Sequence, residues 1–236
     1  MFGRSRDTNL IFITILVIYA ILNSNFNLQA TLLTLPGLVL ALTLHEYAHA
    51  MVSDRLGDPT PSEQGRLTLN PLAHMDPVGT VFLVFAGFGW GKPVQIDSRY
   101  YRNPARDMML VSLAGPLSNF IQSIVWFFVY GAIVTFAPMS VYAVQIIAYM
   151  FLYAAIINVS LGVFNLLPLP PLDGSKILRY FLHGKGGRVL DFLENYSTLI
   201  LMLLFMTHLT STIISPIIDW ITSGMLFVVD LFYGLF

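Results

Sequence analysis

The sequence contains no cysteine and few charged residues. The first absence limits the possible metal ligands, and the second limits the class of protein. Without cysteine the chain can form no disulfide and offers no thiolate, so any metal must be held by His, Asp or Glu. Charged residues make up only 11% of the 236 residues, against 56% hydrophobic residues. A soluble domain has about 25% charged residues. The net charge of −1 and the lack of a basic run argue against nucleic acid as a partner.

The hydrophobic residues form long runs that predict an all-α polytopic membrane protein, embedded in a lipid bilayer as a single domain of residues 1–236. We expect about six transmembrane helices. Their approximate bounds are Leu10–Leu22, Ala30–Ser53, Met108–Phe136, Val141–Leu167, Val189–Thr207 and Ile213–Leu235.

The connection between the second and third predicted spans is long and irregular. It contains Val78–Trp90, an apolar stretch too short for a span and broken by glycines, which favours a re-entrant or interfacial segment. Residues 67–69 and 93–96 could form short strands there. We therefore expect a re-entrant or short β-containing segment on one side of the membrane.

The positive charges predict the orientation. With six spans, all twelve Lys and Arg residues fall on one side, and the positive-inside rule makes that side cytoplasmic. The chain is thus expected to be a multi-pass protein of the cell (inner) membrane with both termini in the cytoplasm. The sequence does not indicate an oligomeric state.

The second predicted span contains the sequence HEYAH. His45 and His49 are four residues apart, so on a helix they share one face and can bind one metal ion together. Glu46 follows the first histidine and can act as a general base toward a metal-bound water. His45 precedes Arg55 by ten residues, about 15 Å along a helix, which predicts a site inside the membrane toward the cytoplasmic face.

Other polar residues in the spans are candidates for the same site. A catalytic zinc commonly has three protein ligands, and Asp173 is the predicted third, because prolines within 168–171 end the fourth helix on the same side as the histidines. Asn119, inside the third span, could donate to an oxyanion or only bond a neighbouring helix. Asn158 and Asn165 share that ambiguity. Asn165 is the better candidate for a substrate contact because it opens the broken segment.

Three motifs together resemble the site-2 protease family of intramembrane zinc metalloproteases, in its compact prokaryotic branch without PDZ or CBS domains. They are HEYAH, AGPLSN at 114–119 and NLLPLPPLDG at 165–174. The resemblance implies a zinc metalloprotease that cuts peptide bonds in or near transmembrane segments of membrane proteins, in regulated proteolysis or remnant clearance. The residues it implies are His45, His49 and Asp173 as ligands of one zinc ion, Glu46 as the base, and Asn119 near the substrate carbonyl.

Alternative functions make different demands on the sequence. A divalent metal transporter needs polar groups along several spans and in both leaflets, whereas the far half of these spans is nearly all apolar. A catalytically inactive relative that only binds membrane proteins does not need Glu46. A membrane-anchored zinc protease that cuts at the membrane surface is expected to have its HExxH motif near the membrane boundary and a soluble catalytic domain, and this sequence shows neither feature.

Overall fold

The computed structural model describes residues 28–80, 91–182, 187–206 and 209–235. Within these ranges the secondary structure is helical, with no β-strand. The α-helices are α1 (Leu28–Arg55), α2 (Thr60–Glu63), α3 (Pro104–Phe136), α4 (Tyr142–Asn165), α5 (Asp173–Phe181), α6 (Gly187–Met206) and α7 (Leu209–Tyr233). Two short 3-10 helices, Pro71–Ala73 and Ser98–Tyr100, lie between α2 and α3.

Four helices in the described part of the chain are long and apolar enough to cross a membrane. They are Gln29–Arg55, Pro104–Phe136, Tyr142–Asn165 and Thr212–Tyr233. They coincide with the predicted second, third, fourth and sixth spans, which confirms an all-α polytopic membrane protein. Helix α6 lies where the fifth span is predicted. The predicted first span and residues 81–90 of Val78–Trp90 lie outside the described residues, so the total of six and the re-entrant segment stay predictions.

The short strands expected between α1 and α3 are not formed. Residues 67–69 and 93–96 are irregular, and the β-type pairing in the described part of this connection is one isolated antiparallel bridge, between Met75 and Gly91. The physical reason is that side chains take the backbone groups that a ladder would use. The carbonyl of Thr68 accepts a hydrogen bond from His74 Nε2 at 2.8 Å, and the N–H of Val94 donates to a carboxylate.

Helix α3 is central, because it packs against α1, α4, α5 and α7. Helix α1 also packs against α4, and the two are very close at Gly37. A Cβ at this position would lie 2.5 Å from the Cβ of Ala154. Small residues at helix crossings allow such close backbone approach in membranes. The tight packing of α1, α3 and α4 brings the histidines of α1 against α3.

A proline-rich turn separates α4 from α5, as the sequence predicts. Helix α4 ends at Asn165 and α5 begins at Asp173. A Cβ on Gly174 would lie 2.2 Å from the carbonyl oxygen of Leu166, so only glycine allows the first turn of α5 to lie on the end of α4. This packing buries Asp173 inside the bundle. By contrast, α3 continues through Gly115 and Pro116 without a break.

Apolar packing lies apart from the buried polar groups. Six buried residues from α3, α4 and α7 form the described hydrophobic core: Phe127, Ala155, Val159, Val163, Ile214 and Val229. One group of buried polar side chains lies where α1, α3, α4 and the start of α5 meet; it includes His45, His49, Asn119, Asn158 and Asp173. Since buried polar groups in a membrane are costly and usually functional, this junction is the candidate site.

Candidate metal centre

Three side chains from α1 and α5 meet in a small triangle of possible metal ligands. His45, His49 and Asp173 are all buried. The two Nε2 atoms are 3.0 Å apart, and Asp173 Oδ2 lies 3.1 Å from Nε2 of His49 and 3.3 Å from Nε2 of His45. A tetrahedral zinc with bonds of about 2.0 Å separates its ligand atoms by about 3.3 Å. The triangle therefore has the size of one face of a zinc coordination tetrahedron.

The far ring nitrogen of His49 is held by the backbone of α3. Nδ1 of His49 lies 2.7 Å from the carbonyl oxygen of Val111. A carbonyl oxygen only accepts, so Nδ1 carries the proton, and in the neutral ring that binds a metal Nε2 presents its lone pair to the triangle.

The far ring nitrogen of His45 is held by a side chain. Nδ1 of His45 lies 2.6 Å from Asn119 Oδ1. The Asn119 amide nitrogen lies 3.2 Å from the carbonyl oxygen of Ala41, which only accepts, so the amide oxygen must face His45. Nε2 of His45 therefore also presents a lone pair. Two nitrogen lone pairs and a carboxylate oxygen that lie 3.0–3.3 Å apart repel each other unless a cation lies among them. Two neutral imidazole nitrogens and one carboxylate oxygen are also ligands that zinc accepts.

Gly115 of α3 leaves room for the two imidazole rings. A Cβ at this position would lie 2.4 Å from Nε2 of His49 and 2.6 Å from Nε2 of His45. No side chain fits there, so α3 presents bare backbone to the ligand triangle.

Glu46 lies beside the loop that follows residues 81–90. Its Oε2 accepts a hydrogen bond from the backbone N–H of Val94 at 3.0 Å. A Cβ on Gly91 would lie 3.8 Å from Oε1. The structure gives Oε1 no hydrogen-bond partner among the described residues, so one carboxylate oxygen is anchored and the other is available to take a proton.

The two carboxylate oxygens of Asp173 face different neighbours. Oδ2 faces the histidines, while Oδ1 lies 3.6 Å from the Lys176 ammonium, whose side chain is 41% exposed. Asp173 is also the first residue of α5, where the helix dipole favours a negative charge. Asp173 therefore offers one oxygen to a metal ion.

The two predicted asparagines have different surroundings. Asn119 uses both amide hydrogens within the protein, toward Ala41 and Asn158, so this arrangement leaves no free donor for a substrate oxyanion. Asn165 is half-buried at the end of α4, and its amide donates to the carbonyl of Leu161 at 3.0 Å. Asn165 keeps a second N–H and its oxygen, and its contact with substrate stays a prediction.

Three groups at this site do not follow from the motifs. The carbonyl of Val111 and the N–H of Val94 are backbone atoms, which residue type does not reveal. Asn158 supports Asn119, and its only signal in the sequence is an amide within an apolar span. The sequence therefore gives Asn158 as a candidate polar residue, but it does not show that its partner is Asn119.

The fold and the ligand triangle define a multi-pass membrane protein with a buried candidate metal centre. Comparison with known proteins gives the family. The sequence model of Peptidase family M50 matches residues 131–208, which include Asp173. The protein "Putative zinc metalloprotease YwhC" of Bacillus subtilis is 36% identical over 189 residues, covering 77% of this chain and 84% of that protein. The chain therefore belongs to peptidase family M50, the site-2 protease family of zinc metalloproteases.

Other relatives agree with this assignment. "Putative zinc metalloprotease Rip2" of Mycolicibacterium smegmatis is 30% identical over 195 residues, covering 80% of this chain and 72% of that protein. "Protease RseP" of Photorhabdus luminescens is 43% identical over 63 residues, which is 25% of this chain and 28% of that protein. No solved structure matches the chain significantly. The protein is a membrane metalloprotease, and its cofactor is zinc.

Proposed function

We propose that this protease works within the membrane and hydrolyses peptide bonds in or near transmembrane segments of other membrane proteins. Regulated proteolysis and the clearance of membrane remnants are the uses that fit this activity. The observation that carries the proposal is the burial of three ligand atoms 3.0–3.3 Å apart, two of them on a helix that is apolar enough to cross a membrane. A substrate that reaches such a site must itself enter the bilayer.

His45, His49 and Asp173 are the proposed ligands of one zinc ion. Their size, their burial and the direction of both histidine lone pairs fit the ion. Zinc, when bound there, supplies Lewis-acid chemistry by acidifying a water molecule and polarising the peptide carbonyl.

Glu46 is the proposed general base. Its Oε1, which has no hydrogen-bond partner in the described part of the chain, takes a proton from the attacking water and later returns it to the leaving amine. The N–H of Val94 holds Oε2, so the carboxylate is restrained while Oε1 does this work. Proton transfer by a positioned group contributes about 10²–10⁴-fold to a rate.

The substrate must be extended at the cleavage point, because the carbonyls of a transmembrane helix are hydrogen-bonded internally. Residues 91–97 are irregular and lie next to Glu46, where they are suited to contact an extended peptide. Asn165, at the end of α4, is the proposed polar contact to the substrate backbone.

The orientation belongs to the same proposal. We infer from the Lys and Arg residues near the ends of α1, α3 and α5 that the site lies toward the cytoplasmic side and that both termini are in the cytoplasm.

The test uses the purified chain and single-span membrane proteins as substrates. Glu46→Gln should lower the cleavage rate by about 10²-fold or more while the protein still binds zinc. Glu63→Gln is the matched control, because Glu63 is exposed in the short helix α2. A zinc chelator should stop cleavage by the unaltered protein, and product masses should locate the cut in or beside the apolar segment.

Three results would contradict the proposal. Cleavage by Glu46→Gln at the normal rate would show that Glu46 is not the base. Cuts confined to soluble parts of the substrates would indicate a surface protease. Zinc flux across liposomes without any cleavage would favour the transporter.

A further inference from the structure

Asn158 lies on α4 with its side chain fully buried. Its Nδ2 donates to the carbonyl oxygen of Ala154 at 2.9 Å, one turn earlier on the same helix. Because that carbonyl only accepts, the amide nitrogen of Asn158 must point toward it. The amide oxygen then faces Asn119 and accepts a hydrogen bond from its Nδ2 at 2.9 Å.

Asn119 connects Asn158 with His45. Its amide nitrogen donates to Asn158 and to the carbonyl oxygen of Ala41, and its Oδ1 accepts from Nδ1 of His45 at 2.6 Å. The Asn119 side chain is 0% exposed, so water does not compete for these atoms. Each hydrogen bond in the series has one direction only, and the last of them keeps the proton of His45 on Nδ1.

We propose that Asn158 and Asn119 act in series as positioning residues for His45, fixing the tautomer and ring orientation that turn its Nε2 toward the metal. This inference rests on the proposed role of His45 as a zinc ligand. In this role both asparagines act on the metal site through His45. Hydrogen bonds of this kind to the second ring nitrogen orient metal-binding histidines and raise zinc affinity.

The two histidines differ in how they are held, and the difference explains why His45 needs the pair. His49 bonds the backbone of α3 at Val111, which cannot rotate. His45 bonds an amide that could flip about its own side chain and present nitrogen instead of oxygen. Asn158 and Ala41 prevent that flip, because both are acceptors for the Asn119 nitrogen.

The first measurement is the zinc affinity of the purified full chain, by competition with a coloured chelator. Asn158→Leu should weaken zinc binding by about 10-fold, and Asn119→Leu by about 10- to 100-fold. Gln122→Met is the matched control. Gln122 is a buried amide one turn beyond Asn119, and its polar atoms have no hydrogen-bond partner among the described residues. This control should bind zinc like the unaltered protein.

The second measurement tests the series itself. If Asn158 acts only through Asn119, the double variant should bind zinc no more weakly than Asn119→Leu alone. Asn158→Asp keeps an oxygen acceptor for Asn119 and should bind zinc more tightly than Asn158→Leu. In nitrogen-15 spectra of the metal-free, histidine-labelled protein, the His45 signal should show a proton on Nδ1, and Asn158→Leu should mix the tautomers.

The inference is overturned if Asn158→Leu binds zinc normally, or if the losses of zinc affinity in Asn158→Leu and Asn119→Leu add in the double variant. It is also overturned if Asn158→Asp and Asn158→Leu bind zinc equally weakly, because that result would indicate that Asn158 only packs between helices.

His45→Ala separates this inference from the proposed function. If His45→Ala loses zinc and Asn158→Leu does not, only the inference fails. If His45→Ala binds zinc normally, the proposed ligand set fails as well.

Discussion

Gly115 shows how a single residue sets the dimensions of the metal centre. The ligand triangle lies directly against the backbone of α3, and the nearest imidazole nitrogens occupy the space that a side chain at this position would take. Glycine at this position therefore lets the imidazole rings lie against the backbone of α3, although glycine stabilises a helix less than other residues do. The sequence shows a glycine before a proline, but only the packing shows what the missing side chain accommodates.

Gly115→Ala should abolish zinc binding or weaken it by about 100-fold, because the new methyl group must displace both ligand nitrogens. We expect proteolysis to fall in the same proportion. Gly224→Ala on α7 is the control, since no atom lies within 4 Å of its added Cβ. That variant should bind zinc normally and be slightly more stable, because alanine favours the helix. Normal zinc binding by Gly115→Ala would contradict the packing described here.

At the scale of elements, a buried polar cluster joins the end of α1 to the segment that leads into α3. The cluster comprises Ser53, Asp58, Thr60, Asp97 and Tyr101. The Asp58 carboxylate is fully buried and accepts hydrogen bonds from Ser53 Oγ at 2.9 Å, the Thr60 N–H at 3.0 Å and the Asp97 N–H at 2.8 Å. Tyr101 OH lies 2.6 Å from Ser53 Oγ. The cluster anchors the far end of the loop whose near end contacts Glu46.

The Asp58 cluster should make stability depend on pH. Burial alone raises the pKa of Asp58, but hydrogen bonds from Thr60, Asp97 and Ser53 outweigh it, so the folded-state pKa lies below the ordinary value. The stabilisation is therefore complete above the unfolded pKa of about 3.9 and is lost as the pH falls through the lower folded pKa. Thermal unfolding should show a melting temperature that declines steeply below about pH 4.

Asp58→Asn removes the carboxylate and should cost about 1–3 kcal/mol at neutral pH, since the cluster loses its charged acceptor. This corresponds to several degrees in melting temperature. The decline at acidic pH should become shallower than in the unaltered protein. Asp54→Asn, on the last turn of α1, is the control and should keep the steep decline. Equal declines in Asp58→Asn and the unaltered protein would show that another group controls the acid response.

For the whole molecule, helix length and charge determine how the chain lies in the bilayer. Helix α3 has 33 residues, about 50 Å, whereas the hydrocarbon core is about 30 Å thick, so α3 extends beyond it. The end at Pro104 is close to Arg99, Arg102 and Arg106, and the end at Phe136 leads into a short uncharged turn. We expect the basic end to project into the cytoplasm.

The absence of native cysteine makes this orientation directly testable. Gln64→Cys and Ser140→Cys each introduce one exposed thiol, on the two proposed sides of the membrane. An impermeant thiol reagent added to intact cells should label Ser140→Cys, and should label Gln64→Cys only after the membrane is opened. The reverse pattern would invert the orientation, and labelling of both in intact cells would contradict a single crossing by α3.

The sequence predicts the candidate metal ligands better than it predicts the residues that hold those ligands in place. The HEYAH motif gives two candidate ligands from helical spacing, and the proline break gives Asp173 as a third candidate, because the chemistry of these residue types is visible in the sequence. Asn119 lies beside His45 and contacts it, and its role toward the substrate stays a prediction, since a buried amide in a sequence shows only that it needs a partner. The short strands were not formed, because side chains take backbone groups of that loop.

The sequence by itself determined the class of protein, the helical spans and the three candidate ligands, because apolar length, helical period and ligand chemistry are local properties. The tertiary structure decided which nitrogen of each histidine faces the ligand triangle, what the missing side chain of Gly115 makes room for and which atoms hold Glu46. Those decisions depend on contacts between residues 48 to 124 positions apart, several of them through backbone atoms, which only the packing of α1, α3, α4 and α5 brings together.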